Sequence, residues 1–224
     1  MIDYVYTDKP TEQATDSVVK AIKNHLSKGE RVLWLLSGGS SIAIAVEASK
    51  RLKLSNLSNL FVSLVDERYG LIGHQDENWQ QLIDAGFNLP SANLYRPLIG
   101  KDIEPTRAGF NDWLSDQITM ADYKIGIFGI GIDGHTAGIK PHSSAVLSAN
   151  LVAFFKGDDF PRLTITFLAI KQLDEAIVLA LGKDKISVIQ SLLNNNLPLD
   201  EQPSQILKSI PCVTLYTNNN KEKI

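Results

Sequence analysis

Short, mostly apolar runs alternate along this chain with longer stretches in which apolar residues recur every three or four positions. The runs at residues 31–36, 60–65, 123–129, 151–155, 163–170, 176–181 and 212–216 predict buried strands, with a further short strand at 93–97. The amphipathic stretches predict helices over 11–27, 42–52, 76–86, 105–119 and 186–193. Strand and helix take turns without internal repeats, low-complexity linkers or a convincing boundary. That order predicts an α/β fold: a single doubly wound domain, residues 1–224, with a mainly parallel Rossmann-like sheet flanked by helices. Residues 217–224 read as a mobile tail.

Polar groups gather where the predicted strands end. The run at 31–36 passes into Ser37-Gly38-Gly39-Ser40-Ser41 and then into a helix, so backbone N–H groups and two hydroxyls face the space above the sheet. A phosphate suits such a helix start, although simple N-capping by serine gives the same pattern. The spacing is neither that of a Walker loop nor of a dinucleotide glycine fingerprint. The run at 60–65 leads directly into Asp66-Glu67-Arg68, a triplet that standing alone reads as a solvated turn. The run at 123–129 leads through Gly129, Gly131 and Gly134 to Asp133 and His135. Ligands of open α/β sheets bind outside the carboxyl ends of the strands, where these groups fall if the sheet is parallel. His74 reads as a loop histidine. A last strand end, at Gly182, places Lys183 and Lys185 on a helix start.

Composition narrows the picture without redirecting it. A formal charge of −3 and a pI near 5.8 give no general attraction for nucleic acid or an acidic membrane, but leave room for a local basic pocket. Cys212 is the only cysteine, so an internal disulfide is excluded and a cysteine zinc site is not expected. No stretch is apolar for long enough to span a bilayer, and the N-terminus lacks a signal-peptide pattern. The expectation is a cytoplasmic protein with no metal and no cofactor.

Four ordered blocks then resemble one family: Ser-Gly-Gly-Ser-Ser at 37–41, the stretch 65–78 from Val65 to Asn78, the Asp-Gly-His-Thr-Ala stretch within 129–141, and 161–185 with its Pro-Arg-Leu-Thr opening and Gly-Lys-Asp-Lys ending. Together they are similar to the glucosamine-6-phosphate isomerase and 6-phosphogluconolactonase superfamily, and more closely to its lactonase branch. Arg68 after Asp-Glu, and Lys140 where the deaminase branch carries a glutamate before its proline, both favour that branch. Gly138, Ile139 and Lys140 depart from the usual lactonase continuation.

The resemblance implies hydrolysis of a phosphorylated sugar lactone by a monomer or weak homodimer. It implies His135 as the base, with Asp66 or Asp133 orienting it or the water, and Arg68 polarising the lactone carbonyl or holding a sugar oxygen. Gly38, Gly39, Ser40 and Ser41 would receive the phosphate, with Arg162 and Lys185 supplying charge. An amino-sugar-phosphate deaminase and a non-catalytic sugar-phosphate sensor are the alternatives.

Overall fold

The computed structural model describes residues 1–52 and 56–220. Its strands are β1 (Ile2–Tyr6), β2 (Val32–Leu36), β3 (Leu60–Leu64), β4 (Asp66–Arg68), β5 (Asn93–Leu94), β6 (Tyr123–Gly129), β7 (Val152–Lys156), β8 (Pro161–Ile165), β9 (Glu175–Leu179) and β10 (Cys212–Thr217). The helices are α1 (Pro10–Ser27), α2 (Ile42–Leu52), α3 (Asn78–Asp84), α4 (Ile103–Met120), α5 (Phe167–Ile170) and α6 (Ile186–Asn194). Seven strands form one parallel sheet in the order β1-β10-β9-β6-β2-β3-β5.

Burial on both faces explains why the central strands read as unbroken apolar runs. Along β2, Val32, Trp34 and Leu36 enter a core shared with α1, α2 and α3, whereas Leu33 and Leu35 enter the opposite core. Helix α1 presents Ala14, Val18 and Ile22 at four-residue spacing, and α4 does the same with Phe110, Leu114 and Ile118 on the other face. β3 and β5 lie to one side of β2, while β6, β9, β10 and β1 lie to the other. The strand order therefore reverses between β2 and β6, and a crevice opens above their carboxyl ends.

Several sequence expectations change here. The Asp66-Glu67-Arg68 triplet is not a solvated turn. It is strand β4, with Asp66 and Glu67 buried, in a second, antiparallel sheet ordered β4-β8-β7. The chain reaches it by a direct step: the Val65 N–H donates to the Leu36 carbonyl at 2.7 Å, and the Val65 carbonyl accepts the Ile165 N–H at 2.9 Å. The expected strand at 163–170 is split, because after Ile165 the carbonyl of Thr166 accepts N–H groups from Ala169 and Ile170 and starts the short helix α5. β1 lacks a continuous apolar run and was not anticipated; it lies at the sheet edge, paired only with β10. The expected tail from 217 begins too early, since Thr217 ends β10 and Asn219 is buried; 221–224 lie outside the described residues. Among the described residues no helix is long and apolar enough to cross a membrane.

Phe110 is fully buried, and its ring lies 5.8 Å from that of Tyr95, which stacks on Trp113 at 4.6 Å. Phe110→Ala should therefore destabilise the protein by about 3–5 kcal/mol. Urea melts read this directly; a loss below about 1 kcal/mol would mean that the face packed on α4 collapses around the gap.

Candidate active site

The ends of β2 and β6 meet in one cleft, which also takes in β4, β8 and the residue before α6. Gly38, Gly39, Ser40, Ser41, Asp66, Arg68, His135, Arg162 and Lys185 line it, together with Asn78, Gly131 and Gly138. Of the site residues expected from sequence, only Asp133 is not on the wall, and it stands directly behind His135. No side chain caps the turn Gly39–Ser41 that leads into α2. The Ser41 hydroxyl is buried without a partner, so capping by serine does not account for this segment.

His135 is held by a loop folded on itself. The Gly131 N–H donates to the His135 carbonyl at 2.9 Å and the Gly134 N–H to the Gly131 carbonyl at 3.0 Å. Nδ1 of His135 lies 2.6 Å from Oδ1 of Asp133, and the His135 backbone N–H reaches the same oxygen at 3.2 Å. Burial pushes the Asp133 carboxyl up, but the imidazole and N–H of His135 pull it further down, leaving it below the usual range. Gly131 cannot carry a side chain, because a Cβ there would overlap both the imidazole and the Asp133 carboxylate. The next turn is tight: Ala137 and Gly138 have φ of +48° and +69°, and the Ile139 N–H closes it on the Thr136 carbonyl at 2.8 Å. Positive φ is strained for alanine, and the Thr164 hydroxyl holds the Ala137 carbonyl in place. At Gly138 a Cβ would stand 2.7 Å from Oδ2 of Asp66, so this glycine lets the histidine loop close over the carboxylate.

The second sheet supplies the two arginines. β4 pairs with β8 so that Arg68 lies directly opposite Arg162, and Asp66 opposite Thr164. Both guanidinium groups face the Phe160 ring, at 5.2 Å and 5.7 Å from its centroid. Burial pushes the Asp66 carboxyl above its ordinary value, against the opposing pull of Arg68, Arg162 and His135. Arg68 donates through Nη1 to the Asp76 carbonyl at 3.0 Å and leaves a buried Nε without a partner. Arg162 is bound by Asp159, which also holds Lys140 at 3.1 Å. Lys185, which as an isolated lysine at a helix start would be expected to lie out in solvent, lines the cleft instead.

Residues that sequence reasoning did not single out brace this arrangement. Glu67 accepts N–H groups from Asn78 at 2.6 Å, Trp79 at 3.0 Å and Arg68 at 2.7 Å, tying the start of α3 to β4. Asn78 in turn donates to the Asp66 carbonyl at 2.9 Å. Glu77 is buried and makes a two-pronged pair with Arg96, with both contacts at 2.6 Å. A charged residue directly after an apolar strand was the only available signal for Glu67. Nothing local marked Asp159, whose role depends on a partner in another loop. His74 is indeed a loop residue, its Nε2 lying 3.0 Å from the Arg68 carbonyl. Among the described residues no three His, Cys, Asp or Glu side chains converge as a metal site requires.

Comparison with known proteins shows the family and the fold. The family model described as "Glucosamine-6-phosphate isomerases/6-phosphogluconolactonase" matches residues 7–216. A 6-phosphogluconolactonase of Helicobacter pylori strain J99 is 26% identical over 203 residues, covering 87% of each chain. The crystal structure of a 6-phosphogluconolactonase from Thermotoga maritima superposes with a TM-score of 0.82 at 20% identity, over 97% of this chain and 98% of that one. A monomeric glucosamine-6-phosphate deaminase shares the fold almost as closely, with a TM-score of 0.79 at 19% identity over 99% and 98%.

Burial outweighs the three N–H donors at Glu67 and pushes its carboxyl from 4.5 up to about 8. Between those values the folded chain keeps a proton that the unfolded chain has released, so this residue's contribution to stability falls as pH rises. Glu67→Gln removes that titration. Wild type should exceed the variant in stability by more near pH 5 than near pH 8, as urea melts at about those two values would read. A constant difference would show that Glu67 is ionised in the fold throughout.

Proposed function

This chain belongs to the glucosamine-6-phosphate isomerase and 6-phosphogluconolactonase family, and from that premise we propose that it hydrolyses 6-phospho-D-glucono-1,5-lactone to 6-phospho-D-gluconate. We take residues 1–224 as one such domain, acting in the cytoplasm in the oxidative pentose phosphate route. The observation that supports this most is the shared cleft: an imidazole braced by a carboxylate lines the same walls as an uncapped helix start and three cations.

Lactone hydrolysis needs a base for the attacking water, a donor for charge developing on the carbonyl oxygen, and an anchor that sets the distance between them. His135 takes the proton of the water as its oxygen bonds to the carbonyl carbon. Asp133 on Nδ1 leaves Nε2 as the accepting nitrogen and stabilises the imidazolium that forms. Arg68 faces the carbonyl oxygen, with a buried Nε–H that no protein group satisfies. Collapse of the tetrahedral adduct breaks the bond from the carbonyl carbon to the ring oxygen, which takes the proton back from His135. The phosphate rests on residues 38–41 at the N-terminal end of α2, with Arg162 and Lys185 alongside. Asp66, buried beneath these cations, offsets their repulsion and can position the water.

Deamination of an amino-sugar phosphate is the second reading, favoured by the close fold match to a deaminase. Lys140 argues against it: the family resemblance places a histidine-orienting glutamate there in deaminases, and here that position is a cation paired with Asp159.

A coupled assay with fresh lactone, corrected for spontaneous ring opening, should show enzyme-dependent formation of 6-phosphogluconate. His135→Ala should lower kcat by about 10²- to 10⁴-fold with KM little changed. Full turnover in a folded His135→Ala protein would remove the base from the mechanism. Ammonia release from glucosamine 6-phosphate without lactone hydrolysis would replace this reading with the second.

A further inference from the structure

Arg162 enters the cleft already holding an anion. Its Nη2 donates to Oδ2 of Asp159 at 2.9 Å, its Nη1 to Oδ1 of the same carboxylate, and Nη1 also reaches the Phe160 carbonyl at 3.4 Å. Arg162 is buried, with only 6% of its surface exposed, whereas the Asp159 side chain is 41% exposed, so the two-pronged pair joins a buried cation to a carboxylate still open to water. The pair with Arg162 holds the Asp159 carboxyl well below the usual carboxylate range. Oδ2 of Asp159 also receives Nζ of Lys140 at 3.1 Å. Asp159 lies on the connection between β7 and β8, and Lys140 just beyond the Ala137-Gly138 turn. One carboxylate therefore links the two loops that border the cleft and engages both Nη atoms of a cleft-lining arginine.

Asp159 occupies the Nη1–Nη2 edge of the guanidinium, and a phosphate that approaches along that edge needs the same N–H donors, because one edge cannot hold two anions at once. We propose that Asp159 is an internal anion that competes with the substrate phosphate for Arg162, and that Lys140 holds Asp159 when the phosphate displaces it. The proposal rests on the reading of Arg162 as a phosphate partner. Asp159 and Lys140 are then positioning residues, acting on affinity through Arg162 and leaving the chemistry at His135 alone. It also gives a reason for the cation at position 140, which an unaided arginine–aspartate pair would not require.

Inorganic phosphate is the probe, titrated by calorimetry so that no turnover is needed. Asp159→Asn should tighten phosphate about three- to tenfold, the order expected when one competing charge is removed at contact distance in a wet site. In the lactone assay KM should fall in parallel while kcat stays level. Lys140→Met should weaken phosphate by a similar factor. In the Asp159→Asn background the Lys140 change should do nothing further, because its effect passes through the carboxylate. A Lys140 effect that persists there would be a direct charge effect and would overturn the proposal. So would weaker phosphate binding in a folded Asp159→Asn protein, which is what a merely bracing role predicts. Arg162→Gln separates the two levels of inference. Unchanged phosphate affinity in that variant removes both the phosphate role and the competition, whereas lost affinity without tightening in Asp159→Asn removes the competition alone.

Discussion

Two guanidinium groups on facing rungs of an antiparallel ladder repel, and the cleft is shaped by how that repulsion is contained. Arg68 and Arg162 are fixed in register by β4 and β8, so their backbones cannot separate without unpairing a strand. The Phe160 ring faces both of them, Asp66 lies buried one alternation away on β4, and Asp159 grips one of the two arginines from the rim. Each of these groups offsets part of the positive charge without removing it. What remains is a walled, electropositive recess in which an added anion is stabilised more than it would be on open surface.

That recess acquires a direction because a second scaffold meets it. The parallel sheet delivers the uncapped turn after β2 and the histidine loop after β6 on either side of its switch point, and the small sheet sets the arginines against them. Glu67 is where the two scaffolds are joined. Its carboxyl group lies on the small sheet yet satisfies the first N–H groups of α3, a helix that packs on the large one. A polar group is thus spent inside the protein on rigidity, while three of the seven buried side-chain atoms without a partner among the described residues, Ser41 Oγ, Arg68 Nε and Asn78 Oδ1, belong to residues that line the cleft.

The large sheet was legible because its inner strands are buried on both faces, which forces unbroken apolar runs such as 32–36 and 125–128. Placement of His135, Ser40 and Arg68 at strand ends followed from the same runs together with the general location of ligand sites in parallel sheets. The small sheet was hidden for the opposite reason: β4 is three residues long and charged, and its burial depends on partners at 161–165 that no local pattern announces. β1 escaped notice because an edge strand alternates exposed and half-buried positions, which a search for apolar runs passes over. Asp133 or Asp66 as the partner of His135 was undecidable from spacing, since both lie next to a strand end. The hydrogen bond at Nδ1 belongs to Asp133, whose two-residue offset lets its carboxylate fold back over Gly131.

The loop that carries His135 is stitched by bonds among its own residues, Gly131 to His135 and Gly134 to Gly131, with the Thr136 hydroxyl fastened to the Gly129 carbonyl at 2.8 Å. The aim of the imidazole is accordingly set largely within eight consecutive positions, with one tie from outside, the Ser204 N–H on the Gly134 carbonyl at 2.9 Å. Such a module can hold its shape while side chains in the distant core are exchanged.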